Sequence, residues 1–212
     1  MKLSLKALVA TAVVGLSLGS VSHAQDGARG GLFIEPGITY EMGDVKAKTS
    51  SVVSGVTDDS TGSLDGFGLV GRLGLHVNDI FFVAADARYS SFLKHDLSLY
   101  DGKTDATSWS IAPVVGVQTP YAGIRLWAGY VAAAGIDPKG AGDWDIKYEK
   151  GTGFLVGGGL RLGIVSLNLE YKNVQFDRMV AQSNPGPITI GDTDIEGEDR
   201  AWVASLTFPL AL

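Results

Sequence analysis

The sequence predicts an all-β fold, an eight-stranded antiparallel up-and-down transmembrane β-barrel. Eight segments alternate apolar and polar residues with period two, the pattern of a strand with one apolar face. Their connections alternate between tight turns and long polar stretches, as they do in outer-membrane barrels. The chain opens on an export leader, yet beyond it no apolar run approaches the roughly 18 residues of a spanning helix.

The leader comes first. Lys2 and Lys6 form a short positive region, Ala7 to Gly19 are almost wholly apolar or small, and Ser22-His23-Ala24 closes the stretch with small residues at the cut. That is the three-part anatomy of a secretory signal peptide. Residues 1–24 therefore read as signal peptide and 25–212 as one β-barrel domain. The mature N-terminus is expected at or near Gln25. Sequencing the N-terminus of protein isolated from membranes checks this, and an intact Met1 there would overturn the export reading. The leader holds two lysines and no acid, so its removal makes the chain more acidic than its formal net charge of −6. An acidic balance excludes general nucleic-acid binding, which needs a basic face. With no cysteine, an exported chain must hold itself together without disulfides.

The strands follow in order. The first spans 31–42 and leads into a long polar stretch, 43–64. The second, 65–77, meets the third, 81–92, through Val77-Asn78-Asp79-Ile80, a tight turn of the residues that favour one. A second long stretch, 93–106, precedes the fourth strand, 107–118, which turns at Thr119-Pro120 into the fifth, 121–134. After 135–151 the sixth, 152–163, sets Phe154, Val156, Leu160 and Leu162 against Gly157, Gly159, Arg161 and Gly163. Gly163-Ile164 turns into the seventh, 165–176, where Val165, Leu167, Leu169 and Tyr171 oppose Ser166, Asn168, Glu170 and Lys172. The last long stretch, 177–198, leads to the eighth, 199–211, with Trp202, Ala204, Leu206 and Phe208 on its apolar face. Each strand meets the roughly 9–11 residues that a tilted strand needs to cross a bilayer.

Tyr40, Tyr89, Trp109, Tyr130, Phe154, Tyr171 and Trp202 fall near the long-connection ends of their strands, on the apolar face. Tyr and Trp favour the membrane–water boundary, where ring and polar edge are both satisfied. They read as one aromatic girdle, with Phe81 and Phe208 toward the opposite rim. With the signal peptide, eight alternating segments, four long connections and the terminal Ser205-Leu206-Thr207-Phe208-Pro209-Leu210-Ala211-Leu212, the chain resembles the small outer-membrane barrels: the OmpA transmembrane domain, OmpX and OmpW. The resemblance is architectural and covers nearly the whole mature chain. It implies a bacterial outer-membrane location, contact with outer-membrane lipid and lipopolysaccharide, and assembly by the barrel-assembly machinery. A final Phe often closes such chains, whereas here Phe208 is displaced and Leu212 is last. A soluble lipocalin-like barrel is the rival fold, with the apolar face inside.

If the apolar face meets lipid, the other lines the bore. Glu35, Glu41, Arg72, His76, Asp86, Arg88, Gln118, Arg125, Arg161, Asn168, Glu170 and Lys172 then point inward, with small residues such as Gly68, Gly116, Gly129 and Gly157 making room. Eight strands leave a bore only wide enough for side chains to fill, and an unpaired charge there is costly. The turn at 77–80 sets Arg72 opposite Asp86, a pair attracted across a ladder. A lumenal charge network is expected among Glu35, Arg72, Asp86, Arg88, Arg125, Arg161, Glu170 and Lys172.

Catalytic chemistry finds little support. A lipid hydrolase needs Ser activated by His and an acid. His76 has no nucleophile beside it, and Lys94-His95-Asp96-Leu97-Ser98 offers sequence neighbours without a triad geometry. Asp192, Asp194, Glu196, Glu198 and Asp199, and more weakly Asp137, Asp143 and Asp145, are acidic runs in loops, without the EF-hand spacing. They read as solvated loop charge, so no catalytic residue, metal or cofactor is assigned. The functional expectation is a non-enzymatic outer-membrane barrel with a plugged polar lumen, anchoring four long surface loops for an extracellular partner. The alternative is a narrow porin-like channel for small or amphipathic solutes.

Overall fold

The computed structural model describes residues 31–50, 57–97, 104–119, 123–138, 144–183, 186–190 and 195–212. The signal peptide assigned to 1–24 and its cut before Gln25 lie outside them. The strands are β1 (Leu32–Ser50), β2 (Thr57–His76), β3 (Phe81–Leu97), β4 (Thr104–Gln118), β5 (Ile124–Pro138), β6 (Trp144–Leu162), β7 (Val165–Ser183), β8 (Gly186–Ile190), β9 (Ile195–Thr207) and β10 (Leu210–Ala211).

From β1 to β7 each strand pairs antiparallel with the next. β9 then lies between β7 and β1, from Ser166↔Thr207 to Phe176↔Gly197 on one side and from Gly37↔Thr207 to Thr49↔Ile195 on the other. This closes an up-and-down barrel of eight walls. β10 continues the β9 wall beyond Phe208-Pro209, pairing Leu210 and Ala211 with Ile34 and Phe33 of β1. Pro209 has no N–H to give the ladder, and Phe208 and Leu212 carry the pairing past it by donating to the carbonyls of Pro36 and Leu32. β8 is a short extra strand on the end of β7.

Alternation sorts the side chains. Leu32, Ile38, Leu69, Leu73, Val83, Ile111, Val115, Leu126, Val156, Leu160, Leu167 and Leu169 are exposed on the outer surface, the reverse of a soluble barrel. On β1 this belt runs from Leu32 to Met42. Ten steps at roughly 3.3 Å each, tilted by about 35–45°, give the ~25 Å of an outer-membrane apolar band. Beyond it the outward positions become polar, as at Asp44, Lys46, Asp105, Gln175, Asp177 and Arg200. Among the described residues no helix is long and apolar enough to cross a membrane.

The short turns follow from local chemistry. Asn78 Oδ1 accepts from the N–H groups of Ile80 at 2.9 Å and Phe81 at 2.7 Å, pinning the β2–β3 turn with its own side chain. Gly163 turns β6 into β7 at φ 66°, a left-handed conformation that any Cβ would strain.

The strands are longer than the sequence suggests. Much of 43–64, 93–106, 135–151 and 177–198, read above as loop, is ladder: β1 and β2 pair without a break from Leu32↔Leu75 to Ser50↔Thr57. His95 accordingly lies within β3, not at the start of a loop. Past the belt the outward face no longer needs to be apolar, so the Ser, Thr, Asp and Gly content that reads as loop is compatible with a hydrated strand surface. What projects from the barrel is chiefly an extended β-wall rather than four long loops.

Candidate functional site: the packed lumen

The inward side chains fill the bore in tiers, described from the short-turn end. Phe33, His76 and Phe82 pack together, with ring centroids 4.6 Å apart for Phe33–His76 and 6.0 Å for Phe33–Phe82. His76 is thus a packing residue. Gly116 makes space for Phe82, since a Cβ there would meet the Phe82 ring at 2.5 Å.

Above them Arg125 Nη1 donates to both oxygens of Glu35, at 2.9 and 2.8 Å, and Thr207 Oγ1 donates to Glu35 at 2.5 Å. The Arg125 guanidinium sits 5.0 Å from the Phe82 ring centroid. Asn168 Nδ2 donates to Ser205 and Thr207.

The central tier holds two acids and two arginines. Arg72 donates to Asp86 Oδ2 from Nε at 3.2 Å and Nη2 at 2.8 Å. Arg88 donates to Asp86 from Nε at 2.7 Å, and reaches across the bore to both oxygens of Glu170 at 2.6 and 2.7 Å. Trp127 Nε1 donates to Glu170 at 2.8 Å, and its ring lies 4.6 Å from the Arg72 guanidinium. None of Arg72, Asp86, Arg88 and Glu170 has a side chain more than 7 % exposed. A Cβ on Gly157 would press on Glu170 and meet the Trp127 ring at 2.7 Å, so this glycine makes room for both side chains.

Next, Lys172 Nζ lies 2.5 Å from Glu41 and 2.9 Å from Asp199. Beyond the girdle level the lining turns apolar: Val45, Leu64, Ala106, Ile136, Tyr148, Val174 and Phe176 are all buried. Tyr148 and Phe176 face each other at 5.9 Å, beside Gly151 and Gly197, where a Cβ would press on their rings.

Seven of the eight residues expected in a charge network thus line the bore in three clusters: Arg72, Asp86, Arg88 and Glu170; Glu35 and Arg125; and Lys172. Arg161 stands apart at the short-turn end, half-buried, its Nε donating to the Gly163 carbonyl at 3.1 Å. Asp199, read above as loop charge, is instead a buried partner of Lys172, while Glu198, next to it, points outward. From Ile195 onward the run is strand, and strand parity divides Glu198 from Asp199. Asp192, Asp194, Glu196, Asp143 and Asp145 have side chains outside the described set. Among the described residues no cluster could hold a metal ion. The lumen is also less polar than expected. Trp127 shares parity with Arg125, and Leu155 with Gly157, so apolar lining residues were legible at positions where attention to charge passed over them.

The girdle residues Tyr40, Tyr89, Trp109, Tyr130, Phe154 and Trp202 are exposed on the outer wall, with Tyr171 half-buried between Phe154 and Trp202 at 6.2 and 5.3 Å. Phe67 belongs with them, 4.8 Å from Tyr40.

No protein-family model and no curated protein sequence matches the chain. Solved structures do. The outer membrane protein OprG from Pseudomonas aeruginosa superposes with a TM-score of 0.56 at 14% identity, over 90% of this chain and 99% of that one. The outer membrane protein AlkL gives 0.54 at 13% identity, over 91% of this chain and 96% of that one. At such identities the likeness is one of fold: this chain folds as a small outer-membrane β-barrel.

Proposed function

We propose that the chain is a sealed, non-enzymatic barrel of the bacterial outer membrane, exported by cleavage of residues 1–24 and built from residues 25–212 as one domain. Its short turns face the periplasm, and the extended walls stand outside as a surface for an extracellular partner. The observation that carries this reading is the central tier: Arg72, Asp86, Arg88, Glu170 and Trp127 join β2, β3, β5 and β7 across the bore, all nearly excluded from solvent. Apolar packing on one side and the Phe33–Phe82 cluster on the other add two further closures.

Reconstitution into a planar bilayer tests it. The wild-type barrel is expected to show no steady single-channel current, because the buried side chains of the central tier meet across the bore. Glu170→Ala combined with Trp127→Ala removes the centre of the plug and is expected to raise current above the wild-type baseline if the barrel still folds. Steady wild-type conductance would promote the narrow channel for small or amphipathic solutes in its place.

A further inference from the structure

The bore is closed, but the outer wall carries a hollow of about 260 Å³. Its rim is Lys46 of β1, Glu198 and Arg200 of β9, and Gln175 and Asp177 of β7. The cause is a parting of walls. The β7–β9 ladder ends at Phe176↔Gly197. Past that rung β7 takes β8 as its partner from Met179↔Ile190, while β9 continues along β1 to Thr49↔Ile195. The hollow opens where the two diverge, on the outward face.

Two of its polar groups are held in place. Glu198 Oε1 accepts from Arg200 Nε at 2.7 Å and from Asn173 Nδ2 at 3.0 Å. Only the Nε of Arg200 is engaged among the described contacts, and its side chain is 49% exposed. Its remaining N–H groups form a planar fork, the geometry that binds phosphate through two parallel hydrogen bonds. The Lys46 ammonium adds a second positive group on the neighbouring strand. Gln175 and Asp177 supply amide and carboxylate oxygens of the kind that meet vicinal hydroxyls. The volume is below the roughly 300–1,000 Å³ of pockets for drug-sized ligands and suits one sugar ring with its phosphate.

Position selects the source of that chemistry. Arg200 lies two residues from Trp202 on the same outward face, and Glu198 four residues away, about 13 Å of strand. The hollow therefore sits just beyond the girdle, at headgroup depth. Directly below it the outer surface is Trp202 and Tyr171, then the exposed Leu169 and Leu167. A soluble anion would have no use for that apolar track, whereas the acyl chains of a lipid whose head fills the hollow would lie along it. Resting on the outer-membrane reading above, we propose that this wall binds the phosphorylated sugar headgroup of an outer-leaflet glycolipid.

The test is a titration of the full mature barrel, in phosphatidylcholine nanodiscs, with a rough lipopolysaccharide carrying lipid A and inner core, read by native mass spectrometry. The wild type is expected to bind saturably. Lys46→Ala with Arg200→Ala is expected to weaken binding about tenfold or more, by removing both phosphate donors. Enzymatically dephosphorylated lipid is expected to bind the wild type as weakly as intact lipid binds that variant, and phosphatidylglycerol is expected not to compete. Heat-dependent gel migration verifies folding, and Arg200→Gln alone carries the comparison should the double variant not assemble. Unchanged affinity in the variants, or equal competition by phosphatidylglycerol, would overturn the proposal. Absent lipopolysaccharide binding by a wild-type barrel that inserts and does not conduct would also overturn it, while leaving the sealed-barrel reading intact.

Discussion

Glu170→Ala is expected to destabilise the barrel by about 3–5 kcal/mol, the cost of removing one member from a truly buried ion cluster. Two donors and a further cation converge on this carboxylate: Arg88 through Nη2, Trp127 through Nε1, and the Arg72 guanidinium, whose Nη2 lies 3.7 Å away as an ion pair. Alanine leaves the indole N–H without a partner, and leaves two guanidiniums sharing the single carboxylate of Asp86. Glu170→Gln keeps the shape and an acceptor oxygen but not the charge, so a smaller loss is expected. A reversible urea titration in lipid vesicles, followed by tryptophan fluorescence, measures both. If water filled the bore the alanine variant would cost only the 0–1 kcal/mol typical of a solvated pair, so a loss that small would remove the dry plug on which the sealed reading stands. A double-mutant cycle on Arg72 and Asp86 gives an independent measure, because that pair is 2.8 Å apart and both side chains are at most 4 % exposed.

Leu169→Arg should cost up to about 2–4 kcal/mol, the range for arginine on the lipid face at the bilayer midplane, which falls toward the interface. Leu169 is 51% exposed, stands on the apolar belt between Leu167 and Tyr171, and pairs with Gly158 and Ala204. Gln175→Arg, on the same outward face of the same strand but beyond the girdle, is the matched control and is expected to change little. The sequence alone would nominate Asn168→Arg as the mild comparison, because Asn168 faces the lumen. The structure removes that choice: Asn168 is 7% exposed, packs against Gly159, and donates to Ser205 and Thr207. An arginine there would crowd a filled tier that already holds Arg125. Equal losses for Leu169→Arg and Gln175→Arg in the same urea titration would contradict the placement of the belt.

The barrel was legible because membrane walls leave a period-two record wherever one face meets hydrocarbon. Val165 to Lys172 shows it without exception, and the Asn78 turn fixes β2 against β3 so firmly that Arg72↔Asp86 follows by counting. The record fades where lipid ends. Residues 43–50 and 57–64 pair through to Ser50↔Thr57, yet outward positions there such as Asp44, Lys46 and Thr61 are exposed and carry no apolar signal, so the extended wall read as loop. Other omissions have a different origin. Asp199 opens the eighth strand as the sequence reads it, and its parity against Trp202 already turns it inward, but the acidic run it belongs to reads as loop charge and masks that signal. Contacts across the bore, such as Arg88 with Glu170, depend on curvature that no local pattern encodes; parity names which residues face in, not which of them meet.

The cross-bore contacts bear on how long the barrel lasts once formed. Ladders from β1 through β7 join chain neighbours, so they can grow hairpin by hairpin. The partners that cross the lumen are remote in sequence: Arg88 and Glu170 are 82 residues apart, Arg125 and Glu35 are 90, Lys172 and Glu41 are 131, and Thr207 and Glu35 are 172. None of these can meet until the sheet has curled, and Thr207 reaches Glu35 only when the β9 wall has docked on β1. Interactions made late, after the barrier to folding, leave the folding rate nearly untouched and instead slow the reverse step. The plug is thus expected to act as a latch on the finished barrel, slowing its unfolding more than its folding.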